Sequence, residues 1–154
     1  MDKLDKLMDT RLIAVGEKVT RHMRYSRADI AQFSRMSLDE NPLHLDSMVA
    51  QRARFGEIVA SGQQTAAILM GMLATHYSRS DDGVARQMIC LNMNFAFKAP
   101  VFAEQEIVLQ WQVSSVTPNV KLQGLVGLLD GYASVAHGKP AVVARGTILV
   151  SSPA

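Results

Sequence analysis

The stretch Gln63-Gln-Thr-Ala-Ala-Ile-Leu-Met-Gly-Met-Leu-Ala-Thr-His-Tyr-Ser78 decides the fold. It contains no Pro and none of Asp, Glu, Lys or Arg. Ile68, Leu69, Met70, Met72 and Leu73 point in every direction around a helix of 3.6 residues per turn. A helix that is apolar all round is a buried helix. The segment is too short, and too polar at its ends, to cross a bilayer. The expectation is therefore a central helix covered on all sides by the rest of the chain.

The chain after that helix reads as strand. Ile89, Leu91, Met93, Phe95 and Phe97 alternate with smaller or polar residues. Ile107, Leu109, Trp111 and Val113 alternate with Gln110, Gln112 and Ser114. Such alternation buries one face of a strand and leaves the other to water or a partner. Val120–Ala136 and Ala141–Val150 complete the set, and Gly16 to Tyr25 is a weak strand ahead of the helix. Asp130-Gly131 is read as a bulge within one long strand, with the turn at His137-Gly-Lys-Pro140, because Tyr132–Ala136 alone would make a very short strand. The economical arrangement is a curved antiparallel sheet wrapped round the helix. This is an α+β architecture of the hotdog kind. It leaves an edge strand open, and a dimer pairing sheets edge to edge covers it.

The length of 154 residues fits one domain, and 48% apolar with 19% charged residues is a globular composition. A net charge of +2 is too weak and dispersed for a nucleic-acid binder. The only cysteine, Cys90, excludes an internal disulfide and any Cys-based zinc cluster. Charges interrupt Met1 to Met8 throughout, so it lacks the apolar core of a signal peptide, and the expected compartment is the cytoplasm. Residues 1–15 are expected to form a frayed or partner-docked arm, with Leu4, Leu7 and Met8 on one face of a short helix. Residues 16–154 are expected to form the single domain. No stretch is apolar enough to enter a membrane.

Ahead of the central helix, Ser26 is a good N-cap for a helix Arg27–Ser37, with Asp29 in its first turn. Ala28, Ile30, Ala31, Phe33 and Met36 supply its buried side. Asn41 and Pro42 stop that helix, Leu38–Leu45 is expected to be loop, and a short helix is expected over Ser47–Arg54.

Chemistry concentrates in that loop. Asp39 and His44 lie across the Asn41-Pro42 turn, which Pro stiffens at both residues. A carboxylate and an imidazole aimed at one point can polarise a water and exchange a proton. Spacing alone reads first as an Asp cap and a surface His in an ordinary Asn-Pro turn. Gly62 alone reads as a tight entry into the helix.

The segment Phe33 to Ala50 resembles the hydratase motif of the MaoC-like family of (R)-specific enoyl-CoA hydratases. Phe33, Asp39, Asn41, Pro42, Leu43, His44 and Ala50 match as they stand. Leu38 stands where that family has Gly, and Met36 where it has a smaller aliphatic. Arg54 to Gly62 resembles the family's Phe-Gly-x-x-Ile-Ala-His-Gly segment, with Ser61 in place of His. Gln63 and Gln64 then replace small or apolar residues. Asn94 to Val101 is similar to its Phe-x-x-Pro-Val strand end. The resemblance implies reversible syn hydration of a trans-2-enoyl thioester to the (R)-3-hydroxyacyl thioester, a lyase reaction of fatty acid metabolism. It implies Asp39 and His44 as the water-activating pair, with Asn41 supporting them by hydrogen bonding. Gly62 N–H would hold the thioester oxygen, with Ser61 beside it. It needs no metal and no redox cofactor. The substrate handle is CoA or acyl carrier protein, and a homodimer carries two sites.

Other residues read more plainly. Met70, Met72, Met88 and Met93 are core or the wall of an acyl tunnel. His22, His76 and His137 are surface or turn residues. Arg52, Arg54, Arg86 and Lys98 are solvated cations or contacts for CoA phosphates. No Gly-x-Ser-x-Gly occurs, which disfavours a serine hydrolase. Because the fold does not fix the function, an acyl-CoA thioesterase and a non-catalytic acyl-thioester-binding module are the alternatives.

Overall fold

The computed structural model describes residues 4, 7–135 and 138–153. The elements in order are β1 (Lys18–Met23), α1 (Arg27–Met36), α2 (Pro42–Leu45), α3 (Ser47–Arg52), α4 (Gly62–His76), β2 (Gln87–Phe97), β3 (Ile107–Asn119), β4 (Gly124–Ser134) and β5 (Pro140–Ser151). The strands form one antiparallel sheet in the order β1-β3-β4-β5-β2. Helix α4 packs against all five strands, which is the hotdog architecture expected from the sequence.

One side chain fastens helix to sheet. Trp111 is fully buried on β3, and its indole N–H donates to the Leu69 carbonyl of α4 at 2.8 Å. Its ring lies over Gly131, the residue paired with it on β4. A Cβ at Gly131 would stand 2.5 Å from the ring. This close approach is why Gly occupies the position. The bulge expected at Asp130-Gly131 is absent, since pairing to β3 and β5 runs unbroken through both residues. Register shifts lie instead between Val113 and Ser115 on β3 and between Ala133 and Ser134 on β4. Residues 120–123 turn from β3 to β4 rather than beginning a strand. The turn expected at His137–Pro140 falls partly outside the described residues.

Helix α4 departs from its expected all-round cover. Thr65, Leu69, Met72 and Leu73 are buried, whereas Ala67, Met70, Gly71 and Ala74 on the other side are exposed. A single chain supplies one sheet, and one sheet covers one side of a helix.

The edge strand β2 shows a related departure. Its register shifts between Cys90 and Asn92, so the inward phase changes at Leu91. Met88, Met93 and Phe95 pack against the core, while Ile89, Leu91 and Phe97 are exposed.

The N-terminal helix follows the capping signals of the sequence. The Ser26 hydroxyl accepts from Asp29 N–H and the Asp29 carboxylate accepts from Ser26 N–H, a complete capping box. Only Ile30 and Ser34 are fully buried, and the expected contacts Ala28 and Met36 are exposed. The loop expected at Leu38–Leu45 contains α2, because Asn41 caps it and Pro42 occupies its first turn, where a missing N–H costs nothing.

Two basic residues also differ from expectation. Arg86 is buried rather than free for phosphates. Its guanidinium donates to the carbonyls of Arg11 and Leu12 and, in a bidentate pair, to Asp82. Leu12 and Ile13 join the core beside it. His76 is half-buried, and its Nε2–H donates to Glu17 at 2.7 Å. No helix among the described residues is long and apolar enough to cross a membrane.

Candidate active site

Asp39 and His44 are brought together by the short elements after α1. The Ser34 hydroxyl of α1 donates to the Asp39 carbonyl, fixing the chain where it leaves the helix. Leu38 takes a left-handed backbone, φ +64°, just beyond the helix. That conformation strains a residue with a Cβ, and Gly is the usual solution at such a helix end. The Leu38 side chain is 87% exposed and packs on nothing that would be missed. Leu38→Gly is therefore expected to stabilise the fold. Relief of about 1–2 kcal/mol of left-handed strain outweighs about 0.5–1 kcal/mol of added chain entropy. A higher urea midpoint at unchanged m would register it.

His44 is 7% exposed, on the inner side of α2. Its Nδ1 lies 2.6 Å from the Val59 carbonyl, which can only accept, so Nδ1 carries the proton of that bond. Nε2 is thus turned toward Asp39, 3.5 Å from Oδ2. At that separation a single water can bridge the imidazole and the carboxylate. Asp39 is about one-third exposed, so the point between the pair is open to a cavity.

That cavity holds about 660 Å³. Asp39, His44, Ser61, Gly62, Phe97 and Val142 are among its lining residues, together with the basic Arg54, Lys98 and Lys139. The Ser61 hydroxyl accepts from Gln64 N–H at 3.3 Å and caps α4. Gly62 is the first residue of α4, where N–H groups have no carbonyl one turn back to bond. Ser61, Gly62 and Gln63 line the cavity, so the positive end of the helix borders it. Gly62 needs no unusual φ. A Cβ there would meet the Phe97 ring at 2.5 Å, so close approach accounts for the glycine. Gly62→Ala is expected to push Phe97 into the cavity and lower kcat/KM about 100-fold, the cost of misplacing groups by about 1 Å.

Asn41 is placed differently. Its side chain accepts from Leu43 N–H at 3.1 Å, capping α2, and it does not line the cavity. It holds the pair through the turn rather than by direct contact. Several participants had no sequence signal. The Val59 carbonyl that fixes His44 is a backbone atom, held in place by Val59 N–H to the Leu43 carbonyl and Ala60 N–H to the Val101 carbonyl. Lys139 and Val142 come from the far end of the chain. Thr65, also in the wall, shares a hydrogen bond of 3.0 Å with the buried Tyr25 hydroxyl. Burial pushes the Tyr25 phenol up to about 12 against the opposing pull of that bond, so the hydroxyl keeps its proton at neutral pH.

Known proteins resemble this chain in sequence and in fold. The sequence profile of the MaoC like domain family matches residues 11–127. The chain is 28% identical over 109 residues to an (R)-specific enoyl-CoA hydratase of Aeromonas caviae, covering 71% of this chain and 77% of that protein. It is 30% identical over 118 residues to a 3-hydroxybutyryl-CoA dehydratase of Methylorubrum extorquens, covering 71% of each. Among solved structures, the (R)-hydratase from A. caviae involved in PHA biosynthesis superposes with a TM-score of 0.77 at 26% identity, over 92% of this chain and 98% of that one.

Proposed function

The chain belongs to the MaoC-like domain family, and on that premise we propose that it is an (R)-specific enoyl-thioester hydratase, working reversibly as a 3-hydroxyacyl-thioester dehydratase. The observation that carries this reading is the separation of 3.5 Å between Asp39 Oδ2 and an imidazole whose other nitrogen is committed to Val59. The pair holds one exchangeable proton. A water held between them attacks Cβ of the enoyl group and gives a proton to one member. The other member gives its proton to Cα. The electron pair of the C=C bond passes through an enolate whose oxygen is held by Gly62 N–H. The proton then returns across the pair, which regains its starting state. Hydroxyl and hydrogen arrive from one side of the acyl plane, giving syn addition. No metal or redox cofactor is required.

Arg54, Lys98 and Lys139 in the cavity lining suit the phosphates of a CoA handle. A homodimer is part of the same proposal. The exposed Ala67, Met70, Gly71 and Ala74 side of α4 and the exposed Ile89 and Leu91 of edge strand β2 would be covered by a second copy. Sedimentation is expected to give a dimer, and Ala67→Glu with Ala74→Glu a monomer. A wild-type monomer at micromolar concentration contradicts this. The function itself is tested by following loss of the enoyl-thioester ultraviolet absorbance with crotonyl-CoA and longer analogues.

A further inference from the structure

The serine at the head of α4 does more than a helix cap requires. Ser61 is 7% exposed and lines the cavity that Asp39, His44 and Gly62 also line. Its hydroxyl oxygen accepts from Gln64 N–H at 3.3 Å. The Ser61 carbonyl accepts from the same N–H at 3.1 Å, so the cap is the longer arm of a shared bond. The hydroxyl proton has no acceptor among the described residues. A buried donor left without an acceptor is a net cost to the fold. The cavity is the remaining place from which an acceptor can come. Gly62 N–H, the next donor along the chain, also has no acceptor among the described residues.

The backbone that carries these donors is pinned just ahead of them. Val59 N–H donates to the Leu43 carbonyl at 3.3 Å, and Ala60 N–H to the Val101 carbonyl at 2.9 Å. Val59 also forms a β-bridge with Phe102. The carbonyl of that same Val59 accepts from His44 Nδ1–H at 2.6 Å. Ser61 therefore stands two residues after the group that orients the imidazole. Donors held in place before the reaction cost no reorganisation when negative charge develops beside them. The positive end of α4 acts in the same direction.

We propose that the Ser61 hydroxyl donates a second hydrogen bond to the thioester oxygen, beside Gly62 N–H. The proposal rests on the enoyl-thioester reading above. Ser61 keeps its proton throughout, and the bond strengthens as the carbonyl oxygen becomes the enolate oxygen. The motif that this chain resembles has His at the position, so the hydroxyl donor belongs to this sequence and not to the motif.

Ser61→Ala and Ser61→Gly separate donation from capping. Both remove the hydroxyl, but Ala is a poor N-cap and Gly is nearly as good as Ser. A serine that only caps the helix predicts a loss of melting temperature and activity in Ser61→Ala, with Ser61→Gly spared. Donation predicts that kcat for crotonyl-CoA falls about 100- to 1,000-fold in both, with KM little changed. A second readout needs no turnover. The carbonyl stretch of bound butyryl-CoA, isotopically labelled at the thioester carbon, is expected at lower wavenumber in the wild type than in either variant, because a hydrogen bond to the oxygen weakens the C=O bond. The same stretch in all three proteins, or a kcat preserved in Ser61→Gly, overturns the proposal. If the wild type does not hydrate crotonyl-CoA, the hydratase reading falls, and the carbonyl stretch alone still decides the role of Ser61.

Discussion

Asp39→Asn is expected to slow hydration of crotonyl-CoA about 100- to 10,000-fold, the range that a positioned general acid–base group contributes. The amide keeps the shape of the carboxylate but can neither take a proton from water nor pass one to Nε2 of His44. The substitution should leave the fold unchanged, because the Asp39 side chain is partly exposed and its backbone carbonyl, not its carboxylate, is the group bonded to Ser34. His44→Ala is expected to reach a similar floor. The double variant should be little slower than either single one, since both changes disable the same water. Steady-state rates on proteins with matching circular dichroism spectra check this. Full independent losses that multiply would mean the two residues do not act as one unit.

Trp111→Ala is expected to have the largest effect on stability. The indole is fully buried and fills the space that Gly131 leaves beneath it. It also supplies the N–H bond to Leu69 that fixes α4 on the sheet. Truncating a buried Trp costs about 3–5 kcal/mol, and a protein of this size holds only about 5–15 kcal/mol in total. The melting temperature should fall by about 10 °C or more. Trp111→Phe retains most of the packing but loses the bond to Leu69, and should fall between the two. Because α4 carries Gly62 at its head, loosening the helix should also raise KM before the protein unfolds. A Trp111→Ala variant that melts with the wild type would remove Trp111 as the fastener of helix to sheet.

Some of this was legible in the sequence for a plain physical reason. The face of β3 is unambiguous because Leu109, Trp111 and Val113 alternate with Gln and Ser, and a strand with one wet side must sort them. The α1 start was legible because Ser26 and Asp29 are the residues of a capping box. Elsewhere the deciding quantity was not a residue type. At Leu91 a bulge exchanges the inward and outward phases of β2, and nothing in an all-apolar alternation marks where it falls. The apolar residues on the open side of α4 look like core in the sequence because one chain cannot say which of its faces a second chain would cover. Arg86 reads as an exposed cation until its contacts with the carbonyls of Arg11 and Leu12 are seen. Gly131 reads as a turn or bulge residue, yet its place is set by the ring lying over it.

The site divides in the same way. The spacing of Asp39 and His44 did not separate a catalytic pair from an ordinary turn, and the resemblance of the surrounding motif was needed to single them out. The group that orients the imidazole, the Val59 carbonyl, is a backbone atom and has no signature in any side chain. Leu38, in a left-handed conformation where the motif it resembles has Gly, is a departure that the structure turns into a measurable strain.

The most direct test of the hydratase reading is the product formed from crotonyl-CoA by the wild-type protein, resolved by chiral analysis with free thiol measured in the same reaction. The expected product is (R)-3-hydroxybutyryl-CoA with no release of free CoA, and that product is lost in Asp39→Asn. Free CoA with an unchanged crotonyl group, the (S) product, or crotonyl-CoA recovered intact would contradict the reading.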